Sequence, residues 1–292
     1  MKTSKSRVFL IDKGCFYKYN IFCQGGRKMR ILEQFIKGKK QDQTLCEDML
    51  FVNDNFIAVA DGVTAKTNTE FQGKTGGRAA AEKVCEAVSE FPEDINVFDA
   101  VKVMTEKVAS LYTSDKPLGT ASVGVIIFSR FRNEIWSIGD CQCFINDDFF
   151  SHEKEIDRIV SDMRALILEM GRRNGMTEEE LFENDIGREF ILPVIKKQQI
   201  FANSDGRFSY GVINGMPVYE KDIVVHKVKQ GDEIILASDG YPELLKTLAE
   251  SEERLKEEIK NNPLCDGDYR STKGIKKDWA SFDDRTYIRF KV

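Results

Sequence analysis

Two apolar runs in this chain end the same way. Phe56 to Ala60 leads into Asp61-Gly62 ("FIAVADG"), and Ile234 to Ala237 leads into Ser238-Asp239-Gly240 ("IILASDG"). A short apolar run closed by turn residues has the pattern of a buried strand. Each aspartate is therefore held by the sheet behind it while its carboxylate emerges at the rim. The following glycine permits a tight turn and lets a backbone carbonyl approach a ligand closely. The pattern recurs: "WSIGD" ends at Asp140, "SFDDRTYIRF" places Asp283 and Asp284 before a last apolar strand, and "LCEDML" places Glu47 and Asp48 before the strand pair that reaches Asp61. A lone Asp-Gly merely turns a chain. Five acidic sites at the ends of apolar strands point to a shared task. Hard divalent cations such as Mg²⁺ and Mn²⁺ take carboxylate, carbonyl and water oxygens, which is the donor set gathered here.

Composition excludes several alternatives. At 292 residues the chain suffices for one large domain or two small ones, and 41% hydrophobic with 31% charged residues is ordinary globular chemistry. A net charge of −5 offers no field for a nucleic-acid backbone. No apolar run approaches the roughly 20 residues needed to span a bilayer. Seven cysteines without a CxxC pair, and only two histidines, do not make a zinc finger. Cys141 and Cys143 in "DCQC" read as small buried hydrophobes. Reduced thiols suit a cytoplasmic protein, and the expectation is a monomer.

Residues 1–28 mix scattered apolar residues with charges and fail as a signal peptide. They read as an extension that is not part of the native chain if Met29 is the true start. From 29 to 292 no linker intervenes, and the reading is one domain. "RILEQFIKG" predicts a strand, and "MLFVNDNFIAVAD" a strand pair turning at Asn53-Asp54-Asn55. Two helices follow. The first presents Ala80, Val84, Ala87, Val88 and Phe91 on one face, and the second Phe98, Val101, Met104, Val108 and Leu111. Strands are expected in "TASVGVIIFS", "EIWSIGD", "CQCFIN", "DIVVHKV", "DEIILASD" and "RTYIRFKV", with a broken helix over "YPELLKTLAESEERLKEEIKNN". Segment 147–215, charged and then Gly-rich, reads as a partly mobile insertion beside the site. Runs of strands with grouped helices predict an α+β architecture of packed sheets covered by helices.

The ordered set Glu47-Asp48, Asp61-Gly62, "GTAS" (119–122), "IGD" (138–140), "SDG" (238–240) and "DDRT" (283–286) resembles the metal-dependent protein phosphatases of the type 2C serine/threonine class. The resemblance runs from about residue 29 to the carboxyl terminus. It implies a four-layer α-β-β-α sandwich of two mainly antiparallel sheets, with two Mg²⁺ or Mn²⁺ ions in a cleft at one end. By the resemblance, Asp61 bridges the ions and Gly62 offers its carbonyl oxygen. Glu47 faces one ion, Asp239 and Asp283 bind the other, and Asp48 holds metal-bound waters. Asp140 matches a position linked to a third, weaker metal, where Glu243 stands in place of a frequent aspartate. Asp284 replaces an asparagine and is not expected to be a ligand.

The implied reaction is hydrolysis of phosphoserine or phosphothreonine in proteins by hydroxide generated from metal-activated water, with Asp61 and Asp239 acting through that water. Two departures bear on it. Gln43 occupies the position of an arginine that grips phosphate in many relatives, leaving Lys37, Lys39, Lys40 or Lys66 as substitutes. Val63 stands where some relatives carry histidine. His226 reads as structural and His152 as a solvated cap. The alternatives are a catalytically weak domain of the same fold that binds a partner, and a phosphatase of small phosphorylated metabolites.

Overall fold

A computed structural model describes residues 7–8, 29–64, 69–116 and 118–292. Two antiparallel sheets pack face to face. The first has the strand order β1 (Arg7–Val8), β3 (Met49–Val52), β4 (Phe56–Gly62), β5 (Val123–Ser129), β6 (Glu134–Ile138) and β9 (Val224–Lys227). The second runs β2 (Arg30–Lys37), β11 (Arg285–Lys291), β10 (Glu233–Ala237), β7 (Gln142–Ile145) and β8 (Asp148–Phe150). Residues 7 and 8 form two backbone pairings with β3, Arg7 opposite Val52 and Val8 opposite Phe51.

The central strands are apolar on both faces because both faces are covered. In β4, Ile57 and Val59 point into the core between the sheets, where they meet Ile126, Phe128, Ile234, Leu236, Ile288 and Phe290. Phe56, Ala58 and Ala60 point the other way, onto the helices α1 (Gly76–Glu90) and α2 (Val97–Ala109). Beyond the second sheet, Phe35, Ile235, Ala237 and Tyr287 pack against Tyr241, Leu244 and Leu248, the last opening α6 (Leu248–Asn261). The layers are helix, sheet, sheet, helix, as the motif order implied.

Local chemistry explains the ends. Thr75 and Asn96 cap α1 and α2 by accepting from Arg78 N and Asp99 N. Thr247 with Glu250 forms a capping box on α6. That box starts the helix at Leu248, so residues 241–247 are irregular where a helix with a break was expected. Phe98 departs from its expected place: α2 buries Val97, Ala100, Val101, Met104 and Val108, and leaves Phe98 52% exposed. The 3.6-residue period admits either face until the neighbours choose one. Strand β5 begins at Val123, later than the run from Thr120 suggested.

Segment 147–215 supplies β8, then α3 (Glu155–Arg173), α4 (Glu178–Glu183) and α5 (Ile186–Lys197). Its anchor is Arg164, fully buried, which forms an ion pair with Asp185 at 2.7 Å and donates to the carbonyls of Leu264 (2.7 Å) and Ser271 (3.0 Å). The helix pair is thereby tied to the loop after α6. Among the described residues no helix is long and apolar enough to cross a membrane.

Candidate metal centre

Strand parity places the acidic groups. In β4 the inward positions are 57 and 59, so Asp61, next in that series, enters the gap between the sheets at their end. Asp140 follows β6 after a turn at Gly139 (φ +99°), and Asp239 follows β10. Asp61, Asp140 and Asp239 each bring one carboxylate oxygen within 4.8 Å of the others. Asp239 also donates its backbone N–H to Asp61 Oδ2 at 3.4 Å. The cluster lines a cavity of about 790 Å³, as do Gly62 and Asp283.

Lysines thread through the carboxylates. Lys154, at the start of the insertion helices, pairs with Asp140 Oδ2 at 2.5 Å. Lys273 pairs with Asp283 Oδ2 at 2.5 Å. Lys39 is buried, and its ammonium lies 3.0 Å from Asp283 Oδ1, 3.2 Å from Glu47 Oε2, 3.3 Å from Asp284 Oδ2 and 2.8 Å from Thr64 Oγ1. Asp61 and Asp239 have no lysine partner among the described residues.

The electrostatics follow. Burial, then repulsion from Asp48, Asp140 and Asp283, pushes the Asp61 carboxyl well above its usual range. Burial, then Asp61 and Asp140, does the same to Asp239. For Asp283 burial acts upward, but Lys273 and Lys39 outweigh it and hold the carboxyl well below the usual range. Burial acts against the Lys39 ammonium, yet Asp283, Asp284 and Glu47 together keep it firmly protonated.

The remaining site residues divide by position. Glu47 is buried, its Oε2 held by Lys39 and its Oε1 without a hydrogen-bond partner. Asp48 sits deeper, accepting at Oδ2 from Ser238 Oγ (2.7 Å) and Thr286 Oγ1 (2.8 Å), with Oδ1 unpartnered. Asp284 accepts from Lys39 N (2.7 Å) and Glu47 N (3.0 Å), so it orders the loop that carries Glu47. Gly62 admits no side chain: a Cβ would lie 2.5 Å from the Glu47 carbonyl oxygen and 2.6 Å from Gly77 C. Glu243 is on the cavity wall, its carboxylate 2.9 Å from Arg254. Gln43 closes its own loop, accepting from Gly38 N at 2.7 Å and donating to Lys40 O at 2.7 Å. His226 stacks near Phe150 and His152, off the cavity lining.

The basic groups on the cavity wall are Lys154, Arg158, Arg270 and Lys273, none of which sequence reasoning singled out. They lie in a helix start and an irregular loop, where no strand period marks a position as facing the site. Of the substitutes considered from sequence, Lys37, Lys39 and Lys40 are not among the lining residues, and Lys66 lies outside the described residues.

The donor chemistry fits a hard cation. All candidate ligands are oxygens, and among the described residues Asp61 and Asp239 form no ion pair and buried Glu47 Oε1 and Asp48 Oδ1 have no hydrogen-bond partner. The acidic cluster fits a metal site at the mouth of a two-sheet α+β sandwich. No family model and no curated protein matches the chain. Solved structures are similar at low identity. The Mycobacterium tuberculosis serine/threonine phosphatase PstP/Ppp is 15% identical with TM-score 0.49, covering 90% of this chain and 98% of that one. The Mycobacterium smegmatis phosphatase MsPP, in complex with cacodylate, is 14% identical with TM-score 0.46, covering 90% and 99%. RsbX in complex with magnesium is 11% identical with TM-score 0.42, covering 90% and 99%.

Proposed function

We propose that this chain is a Mg²⁺- or Mn²⁺-dependent phosphatase acting on phosphoserine or phosphothreonine in proteins. The observation that carries the reading is the meeting of Asp61, Asp140 and Asp239, from three distant strand ends, on one cavity. The order of their motifs along the chain gives the reaction class.

When bound, a divalent cation activates water at neutral pH and offsets charge on a phosphoryl group. The chain supplies the rest. Asp61 and Asp239 would hold the cation with the Gly62 carbonyl, and Asp48 would order water behind them, while Glu47 and Asp283, the further oxygen donors that the resemblance implies, lie against Lys39. Asp140 and Glu243, which the resemblance links to a weaker additional ion, are paired here with Lys154 and Arg254. Lys273, Arg158 and Arg270 place positive charge along the route a phosphate dianion takes into the cavity. A cavity of about 790 Å³ accommodates a phosphorylated side chain with flanking residues. The five described cysteines are buried and unpaired, which supports a reducing, cytoplasmic setting.

Hydrolysis of an aryl phosphate and of a phosphothreonine peptide, with and without Mn²⁺, tests the reading. Activity is expected only with the cation and only with Asp239 present. Turnover that persists in Asp239→Asn refutes it.

A further inference from the structure

The carboxylates of the centre fall into two sets that differ in what neutralises them. Among the described residues, Asp61, Asp140 and Asp239 face one lysine, Lys154. Glu47, Asp283 and Asp284 face two, Lys39 and Lys273. In the second set both oxygens of Asp283 are engaged: Oδ1 accepts from Lys39 at 3.0 Å and from Asp284 N at 2.9 Å, and Oδ2 lies 2.5 Å from Lys273. Glu47 gives Oε2 to the same ammonium at 3.2 Å. With the Thr64 hydroxyl at 2.8 Å, the Lys39 ammonium is surrounded by oxygen as a bound cation would be, and it is shut away from solvent.

Resting on the metal-centre reading above, we propose that Lys39 is a built-in counter-cation that occupies the Glu47–Asp283 half of the centre, so that the native protein binds one divalent ion, at Asp61 and Asp239, rather than two.

Charge balance supports this division. Three carboxylates against one lysine leave two negative charges in the first set, which one divalent cation neutralises. Two lysines against three carboxylates leave the second set nearly neutral. A divalent ion placed there would meet an ammonium within the same oxygen shell, a like-charge approach that neither geometry nor burial relieves. Lys39 cannot readily withdraw. Its backbone N–H is fixed to Asp284 Oδ1 at 2.7 Å and its carbonyl accepts from Ala280 N at 2.8 Å, so the stem starts from a tethered position.

Mn²⁺ stoichiometry by equilibrium dialysis, with electron paramagnetic resonance of the loaded protein, tests the inference without reference to turnover. The native protein is expected to bind one ion per chain and to show an isolated six-line Mn²⁺ spectrum. Lys39→Met keeps the aliphatic stem and removes the charge. It frees Glu47 Oε2, beside Glu47 Oε1, and leaves Asp283 Oδ1 with only its bond from Asp284 N, so the variant is expected to bind a second ion with an exchange-coupled pair signal. Two coupled ions in the native protein overturn the inference and leave the metal-centre reading standing. One ion in a folded Lys39→Met variant also overturns it. No Mn²⁺ binding by the native protein removes both readings. If Lys39→Met does not fold, the native spectrum and Lys39→Arg decide: a single ion in both supports the inference, and a pair in either ends it.

Discussion

Ser238 donates its hydroxyl hydrogen to Asp48 Oδ2 at 2.7 Å, joining the end of β10 in one sheet to the entry of β3 in the other. The same serine oxygen accepts from Thr286 N at 2.8 Å, and Thr286 Oγ1 donates to Asp48 at 2.8 Å. Parity explains the meeting. Asp48, Ser238 and Thr286 each fall in the inward series of their strand, beside Leu50, Leu236 and Ile288. Ser238→Ala therefore strips a partner from a buried carboxylate and an acceptor from a buried N–H. The expected loss is about 2–3 kcal/mol, read as a lower midpoint in urea with unchanged slope.

Gly240 presses against the other half of this junction. A Cβ there would lie 2.0 Å from the Asp284 carbonyl oxygen and 2.8 Å from Arg285 Cβ. Neither a backbone carbonyl nor a strand start can yield, so Gly240→Ala is expected to cost about 2–3 kcal/mol through overpacking. Because Asp239 is the preceding residue, Mn²⁺ affinity is expected to fall with it, as a titration of the folded variant would show.

Metal-free stability carries a signed pH dependence. The folded-state carboxyls of Asp61 and Asp239 lie above their ordinary value of 3.8, so the native state binds these protons more tightly than the unfolded chain. Their contribution is fully present below pH 3.8 and is lost as pH rises through the higher folded values. Asp239→Asn removes one repelling charge. Without metal, the variant should match the native protein near pH 4 and exceed it at neutral pH by about 1 kcal/mol, or roughly 2–4 °C for a chain of this size. Added Mn²⁺ should raise the melting temperature of the native protein and leave the variant unmoved. Thermal melts in chelator and in Mn²⁺ across this pH range check both signs.

Arg164 binds the insertion helices to the loop that carries Lys273. Replacing it with alanine removes the ion pair from Asp185, which keeps only its bond from Arg188 N, and takes the guanidinium donor from the carbonyls of Leu264 and Ser271. Breaking such a buried network costs about 3–5 kcal/mol. Hydrogen exchange in Arg164→Ala should speed up most over residues 264–273, one wall of the cavity.

The cores of β4, β6 and β10 with the aspartates that follow them, and of β11 with the acidic pair that precedes it, were legible in the sequence, because an apolar run meeting an aspartate and a turn is a local signal that needs no partner. Packed sheets covered by helices followed from runs of strands with helices grouped between them, and the four-layer order was what the family resemblance implied. Which carboxylates meet was not local. Asp61 and Asp239 are 178 residues apart and converge only because β4 and β10 lie in facing sheets. The lysine pairings were invisible for the same reason, although Lys39 itself was named as a possible phosphate ligand. Lys39, Lys154 and Lys273 sit in loops or at a helix start, where no period tells inside from outside, and only packing brings their ammonium groups against Asp283 and Asp140. The sequence thus determined the strands and where their charges lie. The tertiary structure decided which charges are paired with lysine and which are not, because electrostatic energy depends on separations that the chain's order does not encode.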